Sequence, residues 1–426
     1  MQVLGLGGIE NAQSNLLEAL RARGNRSASL DDNHRLGTVL SFRGLYEEAL
    51  SVQKEVLRRR EMELGRDHSD TLKSVNSMAV LLLNMGKYTD AEPFYRRALE
   101  SRERLLGPDH PDTLGSVNNI GILMRNMGKY AEAEPFYRRA LEARERTLGP
   151  DHPDTMTSVS NMAVLLMNME KYTDAEPFYR RALEFREGAL GPDHPDTLAS
   201  VNNIGILMKN MGKLAEAEPF YGRAMKGRDK ILGPDHPDTL ASVNNMGILK
   251  QKMGKLAEAE RFYQRALVGR EGILGPDHPD TLKSMESMAV VLRRMGRLTE
   301  AKPLQQRVLE VRERILGRDN PDTTWSVKQM AILLDKMGEF TEAELLYKRS
   351  LEAMEKTLGP NHPDTLETLC DMADLLQKMG KFAEVEVLYR RALEESKRTF
   401  GPDHPQTLIF AQFLTRLQAQ DPSQTV

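Results

Sequence analysis

The chain has 426 residues, of which 40% are hydrophobic, 28% charged and 6% aromatic. That is enough apolar content to bury a core, which excludes wholesale disorder. Lys and Arg number 59 against 62 Asp and Glu, a net charge of -3, so polyanion binding by the chain as a whole is excluded and any basic surface must be local.

Residues 1–30 read as a weak leading helix, 10–23, followed by a loop. Residues 1–9 lack the positive start and apolar length of a signal peptide. No run of ~18 apolar residues appears, so no membrane-spanning helix is expected. The single cysteine, Cys370, cannot form an internal disulfide and fits a reducing compartment. A cytoplasmic protein is expected.

From there one period organises everything. The glycine of the phrase LGPDHPDT recurs from Gly65 to Gly401 at a constant interval of 42 residues, without insertion or deletion. Equal units that must each fit their neighbours in the same way keep such register; an ordinary globular domain has no reason to. In the unit after Pro111, residues 113–127 place Leu114, Val117, Ile120, Gly121 and Met124 at helical spacing. Gly128-Lys129 then ends that helix with a left-handed residue. Residues 130–148 carry a second stripe, Ala133, Phe136, Tyr137, Ala140, Leu141, Arg144 and Leu148, with Glu134→Arg138 and Glu142→Arg146 as i,i+4 pairs on the outer face. Asp109 and Asp112 stand around Pro111 as a capping box for the next helix.

Each unit is therefore a pair of antiparallel helices. A first, degenerate pair spans 36–64 and eight more follow to residue 400. Residues 407–418 read as a closing helix with Gln412, Arg416 and Gln418 toward solvent, and 419–426 as a polar tail. The expected organisation is one right-handed α-solenoid of nine pairs over 31–418, all-α, with a C-terminal capping helix.

Small residues set the repeat type. Gly121, Ala133 and Ala140 are matched by Ala79/Ala91/Ala98, Ala163/Ala175/Ala182, Gly205/Ala217/Ala224 and Gly247/Ala259/Ala266. This spacing resembles the tetratricopeptide repeat, its second helix lengthened beyond the usual period of about 34 residues. Armadillo repeats need three helices, and only two fit here. The phrase VNNIGILM…GKYAEAEPFYRRALEARERTLGPDHPDT at 117–155 is similar to the repeat domain of kinesin light chains, over roughly residues 36–408. That resemblance implies a cargo-adaptor role, with acidic, tryptophan-containing peptide segments held in a concave groove. The heptad coiled coil by which such light chains join their motor heavy chain is not seen in the residues before the first repeat. Similar arrays form sensor arms of fungal nucleotide-binding signalling proteins, but no G-x-x-x-x-G-K-[ST] is present, and the recurring Met-Gly-Lys is a turn.

Catalytic, metal and cofactor chemistry find no constellation. Eight of the nine histidines sit in the recurring turn (His68, His110, His152, His194, His236, His278, His362 and His404). Equivalent turns lie two helix layers apart, at ~8–10 Å per layer, too far to share a metal, and capping explains the string. Asn320 replaces histidine once, which a cap tolerates. The methionines before each turn, Met127 among them, read as gap-filling packing. No residue set departs from the repeat so as to build a single active site, and a non-enzyme is expected.

Function is read from the first helices, expected to line the concave wall. Relative to the small residue of each, the face opposite the partner helix holds positions −6, −3, +1, +4 and +5. A floor of aliphatics runs through Val80, Ile122, Val164, Ile206, Ile248, Val290 and Ile332, with Asp374 last. Amides flank it: Asn76, Asn84, Asn118, Asn126, Asn168, Asn202, Asn210 and Asn244. Asn is a poor helix-interior residue and can bond both N–H and C=O of an extended peptide. The same positions hold Lys73, Arg125, Lys209, Lys252, Lys283, Arg293, Arg294, Lys328, Lys336 and Lys378 against Glu286, Asp335 and Glu367. Such a face selects acidic partners. Trp325, the single tryptophan, stands at −6 as a candidate anchor. A protein or peptide ligand is thus expected. Nucleic acid is not, because stacking aromatics are missing between the cations. A self-assembly module built on Leu408, Phe410 and Phe413 is one rival reading, and the repeat sensor arm of a larger fungal nucleotide-binding signalling protein is another.

Overall fold

The computed structural model describes residues 29–42 and 45–420. The leading segment at 10–23 and the tail at 421–426 lie outside them, as does the side chain of Gln418. Among the described residues there are nineteen helices and no strand. They are α1 (Leu30–Phe42), α2 (Tyr46–Leu64), α3 (Ser69–Asn84), α4 (Tyr88–Leu106), α5 (Pro111–Asn126), α6 (Tyr130–Leu148), α7 (Pro153–Asn168), α8 (Tyr172–Leu190), α9 (Pro195–Asn210), α10 (Leu214–Leu232), α11 (Pro237–Lys252), α12 (Leu256–Leu274), α13 (Pro279–Arg294), α14 (Leu298–Leu316), α15 (Pro321–Met337), α16 (Phe340–Thr357), α17 (Pro363–Lys378), α18 (Phe382–Phe400) and α19 (Pro405–Gln420). Odd-numbered helices are the first of each pair and α19 closes the array. Two compact units result, Met1–Met211 and Gly212–Val426; the first holds α1–α9 and the second α10–α19. Each is an all-α repeat solenoid of stacked pairs. No described helix is long and apolar enough to cross a membrane.

Within a pair, the small residues act as the sequence predicts. Ala133 and Ala140 are fully buried, and a Cβ on Gly121 would sit 2.9 Å from the Tyr137 ring. At Gly247 the clash with Tyr263 would be 2.8 Å. Closeness at this position is what lets the second helix present a whole tyrosine ring to the first.

The first helices are capped differently from the expectation. The residue before α3, α5, α7, α9, α11, α13 and α17 is histidine, and its Nδ1 accepts the backbone N–H two residues on, as from Asp112 at 3.2 Å to His110. His68, His152, His194, His236, His278 and His362 repeat the bond. The ring proton therefore sits on Nε2. Asn320 does the same through Oδ1 at 2.9 Å. The aspartate caps predicted from the sequence are thus replaced by imidazole caps. Asp109, in the turn leading into α5, instead receives Arg146 near the end of α6 at 2.7 Å, so the expected Glu142–Arg146 pair does not form, whereas Glu134–Arg138 does at 2.6 Å.

Successive pairs are joined by a buried guanidinium. Arg144 of α6 is 8% exposed, and its Nη1 donates to Ser158 Oγ at 2.9 Å and to the Asp154 carbonyl at 3.1 Å, both in α7. The serine bond recurs as Arg60–Ser74, Arg102–Ser116, Arg186–Ser200, Arg228–Ser242, Arg270–Ser284 and Arg312–Ser326. A carbonyl in the first turn of a helix already serves the helix ladder, so a guanidinium that bonds it, as Arg144 does, takes the second lone pair of that oxygen. Charge-assisted bonds of this kind contribute more than neutral ones. Burial holds the Arg144 guanidinium below its usual range.

At the C-terminal end α19 lays Phe410, 3% exposed, over the last pair, and Phe413 packs on Tyr389 with centroids 5.2 Å apart. Gln412 and Arg416 face solvent.

Two outcomes test the local analysis. His110→Ala should lower the unfolding midpoint by the loss of a cap, about 1 kcal/mol, while His110→Asn should leave it within error; equal losses in both would show that the Nδ1 bond does not stabilise the helix. Glu170 keeps the left-handed turn geometry, φ 58°, at a position where glycine stands in the equivalent turns. Glu170→Gly should raise the midpoint by relieving about 1 kcal/mol, and a fall would contradict this account of the turn.

Candidate protein-interaction face

Direct bonds tie neighbouring first helices into one wall within each unit. In the first unit, Asn119 Nδ2 donates to Asn76 Oδ1 at 2.8 Å and Asn161 Nδ2 to Asn118 Oδ1 at 2.7 Å, linking α3, α5 and α7. In the second, Arg294 Nη1 donates to the Gln251 carbonyl at 3.3 Å, Arg293 Nη2 to Gln329 Oε1 at 2.9 Å, and Lys378 pairs with Asp335 at 2.6 Å, linking α11 through α17. Neighbouring first helices approach one another directly, as in α1 with α3 and α13 with α15, whereas second helices of neighbouring pairs are joined through ion pairs of long side chains such as Arg181–Glu145 at 2.5 Å.

The sequence-predicted residues divide three ways on this wall. Lys73, Asn168, Asn210, Lys252, Lys283, Arg294, Trp325, Lys336 and Lys378 are exposed. Asn76, Ile122, Arg125, Asn126, Ile206, Lys209, Asn244 and Arg293 are half-buried. Asn118 and Asn202 are 8% exposed and Lys328 1%, so these three are not open groove residues as expected. Lys328 lies under Trp325, Nζ 5.8 Å from the ring centroid, and bonds Glu367 at 2.5 Å. Part of the reason for repeated asparagine is now structural: position −3 of one helix pairs with position −2 of the next. The doublets Asn118-Asn119 and Asn202-Asn203 were the available signal, since those two positions are 43 residues apart from one repeat to the next.

The charge count changes as well. Of the ten cations, Lys73 is matched by Asp70 at 2.8 Å, Lys283 by Asp280 at 3.9 Å, Lys328 by Glu367 and Asp371, and Lys378 by Asp335. Asp374 adds an exposed anion on α17. Among the described residues Lys252 and Lys336 meet no carboxylate, and Arg294 meets only a backbone carbonyl. All three occupy position +5. That row is Asn84, Asn126, Asn168 and Asn210 in the first unit and Lys252, Arg294, Lys336 and Lys378 in the second.

Profiles of the tetratricopeptide repeat match residues 34–70, 71–112 and 113–154, and a second set matches 154–230, 199–271, 240–301, 280–356 and 322–394. The chain belongs to the tetratricopeptide repeat family. Its repeats keep a 42-residue period. Among solved structures, the quorum sensor NprR from B. thuringiensis in its apo form is similar over 91% of this chain and 99% of that one, at 14% identity and TM-score 0.57, which speaks for the fold. BtubC from P. vanneervenii is 23% identical over 55% of this chain and 94% of that one, TM-score 0.46. Kinesin light chain TPR-like repeats from Podospora anserina are 22% identical over 48% and 98%, TM-score 0.43. No curated protein sequence matches the chain.

Tetratricopeptide units are protein-interaction elements, and the remaining reactive group here is quiet. Burial pushes the Cys370 thiol up to about 11, so it is not a thiolate at neutral pH. Among the described residues no group of three or more His, Cys, Asp or Glu side chains is placed to hold a metal ion.

One carboxylate on the wall has a measurable signature. Burial pushes the Glu286 carboxyl up despite its 2.9 Å pair with Arg312. The folded chain therefore takes up a proton there before the unfolded chain does. This term stabilises most below the ordinary glutamate value of about 4.3 and is lost as pH rises through the folded value. Glu286→Gln should flatten the dependence of unfolding free energy on pH just above 4.3, read as the difference from the native chain; an unchanged difference across that window would refute it.

Proposed function

We propose that this tetratricopeptide repeat chain is a non-catalytic scaffold that binds extended, acidic segments of partner proteins along the first-helix wall of its second unit. The observation that carries the reading is the row of Lys252, Arg294 and Lys336, cations on three successive first helices without carboxylate partners, beside the aliphatic floor of Ile248, Val290 and Ile332. Neighbouring helices lie about 8–10 Å apart, and an extended chain rises about 3.3 Å per residue. Acidic side chains spaced about three residues apart would thus meet one cation each. The asparagine row of the first unit offers amide bonds to peptide backbone instead. The likeness to kinesin light chain repeats supports a cargo-type partner; nothing in the described residues supplies a motor-binding coiled coil.

Trp325, 41% exposed on the same wall, gives an intrinsic reporter. An acidic peptide with carboxylates three residues apart should change its fluorescence and bind with an affinity that falls steeply with salt. Reversing Lys252, Arg294 and Lys336 together to Glu should weaken binding at least tenfold without loss of helicity; Lys328 is left out because it is buried. Binding indifferent to both salt and reversal would sink the charge argument.

A further inference from the structure

One pair plugs into the next in a fixed way. In every second helix the residue eight before the turn glycine is leucine or, once, methionine (Met225). Leu57 packs with Val75, Phe94 and Ala98 of the following pair, Leu141 with Met156, Val159 and Ala182, and Leu267 with Leu282, Met285 and Val308. Each junction is thus a knob from one second helix set into a socket between the next two helices.

The first pair builds the same socket, and no knob enters it among the described residues. The places of Leu72, Val75, Phe94 and Ala98 are taken in α1 and α2 by Leu30, Asn33, Val52 and Val56. These four line an open, largely apolar cavity of about 180 Å³. Leu72 is buried, whereas Leu30 in the same place is only half-buried. A stacked array needs its terminal faces covered, because each unit leaves half of its apolar surface for a neighbour.

The sequence before α1 carries a matching knob. Leu16 lies eight residues before Gly24, as Leu57 lies eight before Gly65, inside the stretch 10–23 that the sequence predicts to be helical. The link from Gly24 to Leu30 is one residue shorter than that from Gly65 to Leu72. Charge at the rim is complementary as well. At later junctions an acid four before the turn glycine meets an arginine of the next second helix, as in Glu61–Arg97 and Glu145–Arg181, both at 2.5 Å. At the first junction both sides change: Glu55, exposed, stands in the place of Arg97, and the leading segment has Leu20 in the place of the acid with Arg21 and Arg23 beside it.

We infer that the socket between α1 and α2 is a docking site for residues 10–23 of the same chain, with Leu16 as the knob and Arg21 or Arg23 toward Glu55. The segment acts as a solitary second helix that covers the N-terminal face of the array and keeps other helices from stacking there. This goes beyond the peptide-binding wall and does not depend on it.

Disulfide trapping in the full chain, with Cys370→Ala as background, tests the seating. Leu16→Cys with Val52→Cys should close within one chain under mild oxidation, while Glu18→Cys with Val52→Cys, on the opposite side of a helix, should not. Hydrogen exchange on chains without added cysteines gives the second readout. Leu16→Asp should speed exchange of the α1 and α2 amides at least tenfold and leave α5–α9 unchanged, and Leu16→Met should behave as the native chain does, since Met225 serves at the equivalent place. Trapping only between two chains would put the knob of a second copy in the socket. Equal trapping at residues 16 and 18 would mean that the segment has no fixed seat. Exchange in α1 and α2 that ignores Leu16→Asp would leave the socket open or give it to another protein. Any of these three results overturns the proposal.

Discussion

The stack depends on a guanidinium buried between one second helix and the next first helix. Seven arginines, from Arg60 to Arg312, each hold a serine fourteen residues on, and several add a carbonyl of the same first turn. An ionised group with little access to water is stable only when its donors are occupied. The serine and the carbonyl must therefore arrive at one distance and angle every time. That requirement tolerates no insertion between the two helices and holds the fourteen-residue junction constant wherever the bond is made. Beyond Arg312 the device stops: Met354 and Thr368 stand at the next junction, and apolar packing under Phe410 takes over toward the end of the array.

With the pairs locked in register, neighbouring first helices form a wall by default, and what the wall can bind is decided by which of its charges are already taken. Lys328 illustrates the point. On a helical wheel it is one more cation of the row; in the fold it is covered by the Trp325 ring and neutralised from α17 by Glu367 and Asp371. A cation in that setting holds two first helices together and cannot also recruit a ligand. Lys252, Arg294 and Lys336 of the exposed +5 row behave differently because none of them meets a carboxylate among the described residues, whereas Lys378 of the same row is taken by Asp335. Position in the last helical turn also favours Lys and Arg there through the helix dipole, so stability and recognition pull in the same direction at that site.

Repetition makes departures readable. The Arg–Ser bond recurs at seven junctions, so the next one, where Thr368 meets the Met354 sulfur in its place, is conspicuous. In a protein with one copy of each contact the same pair would have no reference.

The sequence alone determined the helix pairs, their ends and their period, because glycine, proline and apolar spacing act within a turn or two of themselves. It also determined that the turn strings are caps, whereas the left-handed backbone of Glu170 came from the fold. The capping atom was not legible: imidazole Nδ1 and aspartate Oδ1 are both acceptors in the same three-residue window, and only the backbone angle at His110 selects between them. The face of each first helix was legible from its wheel, but position −2, the Asn119–Asn76 bond, the partner of Arg144 and the pairing of the wall's cations were not. Those contacts join residues fourteen to forty-three apart in sequence, and their existence follows from the distance and rotation between stacked pairs, which no local pattern encodes.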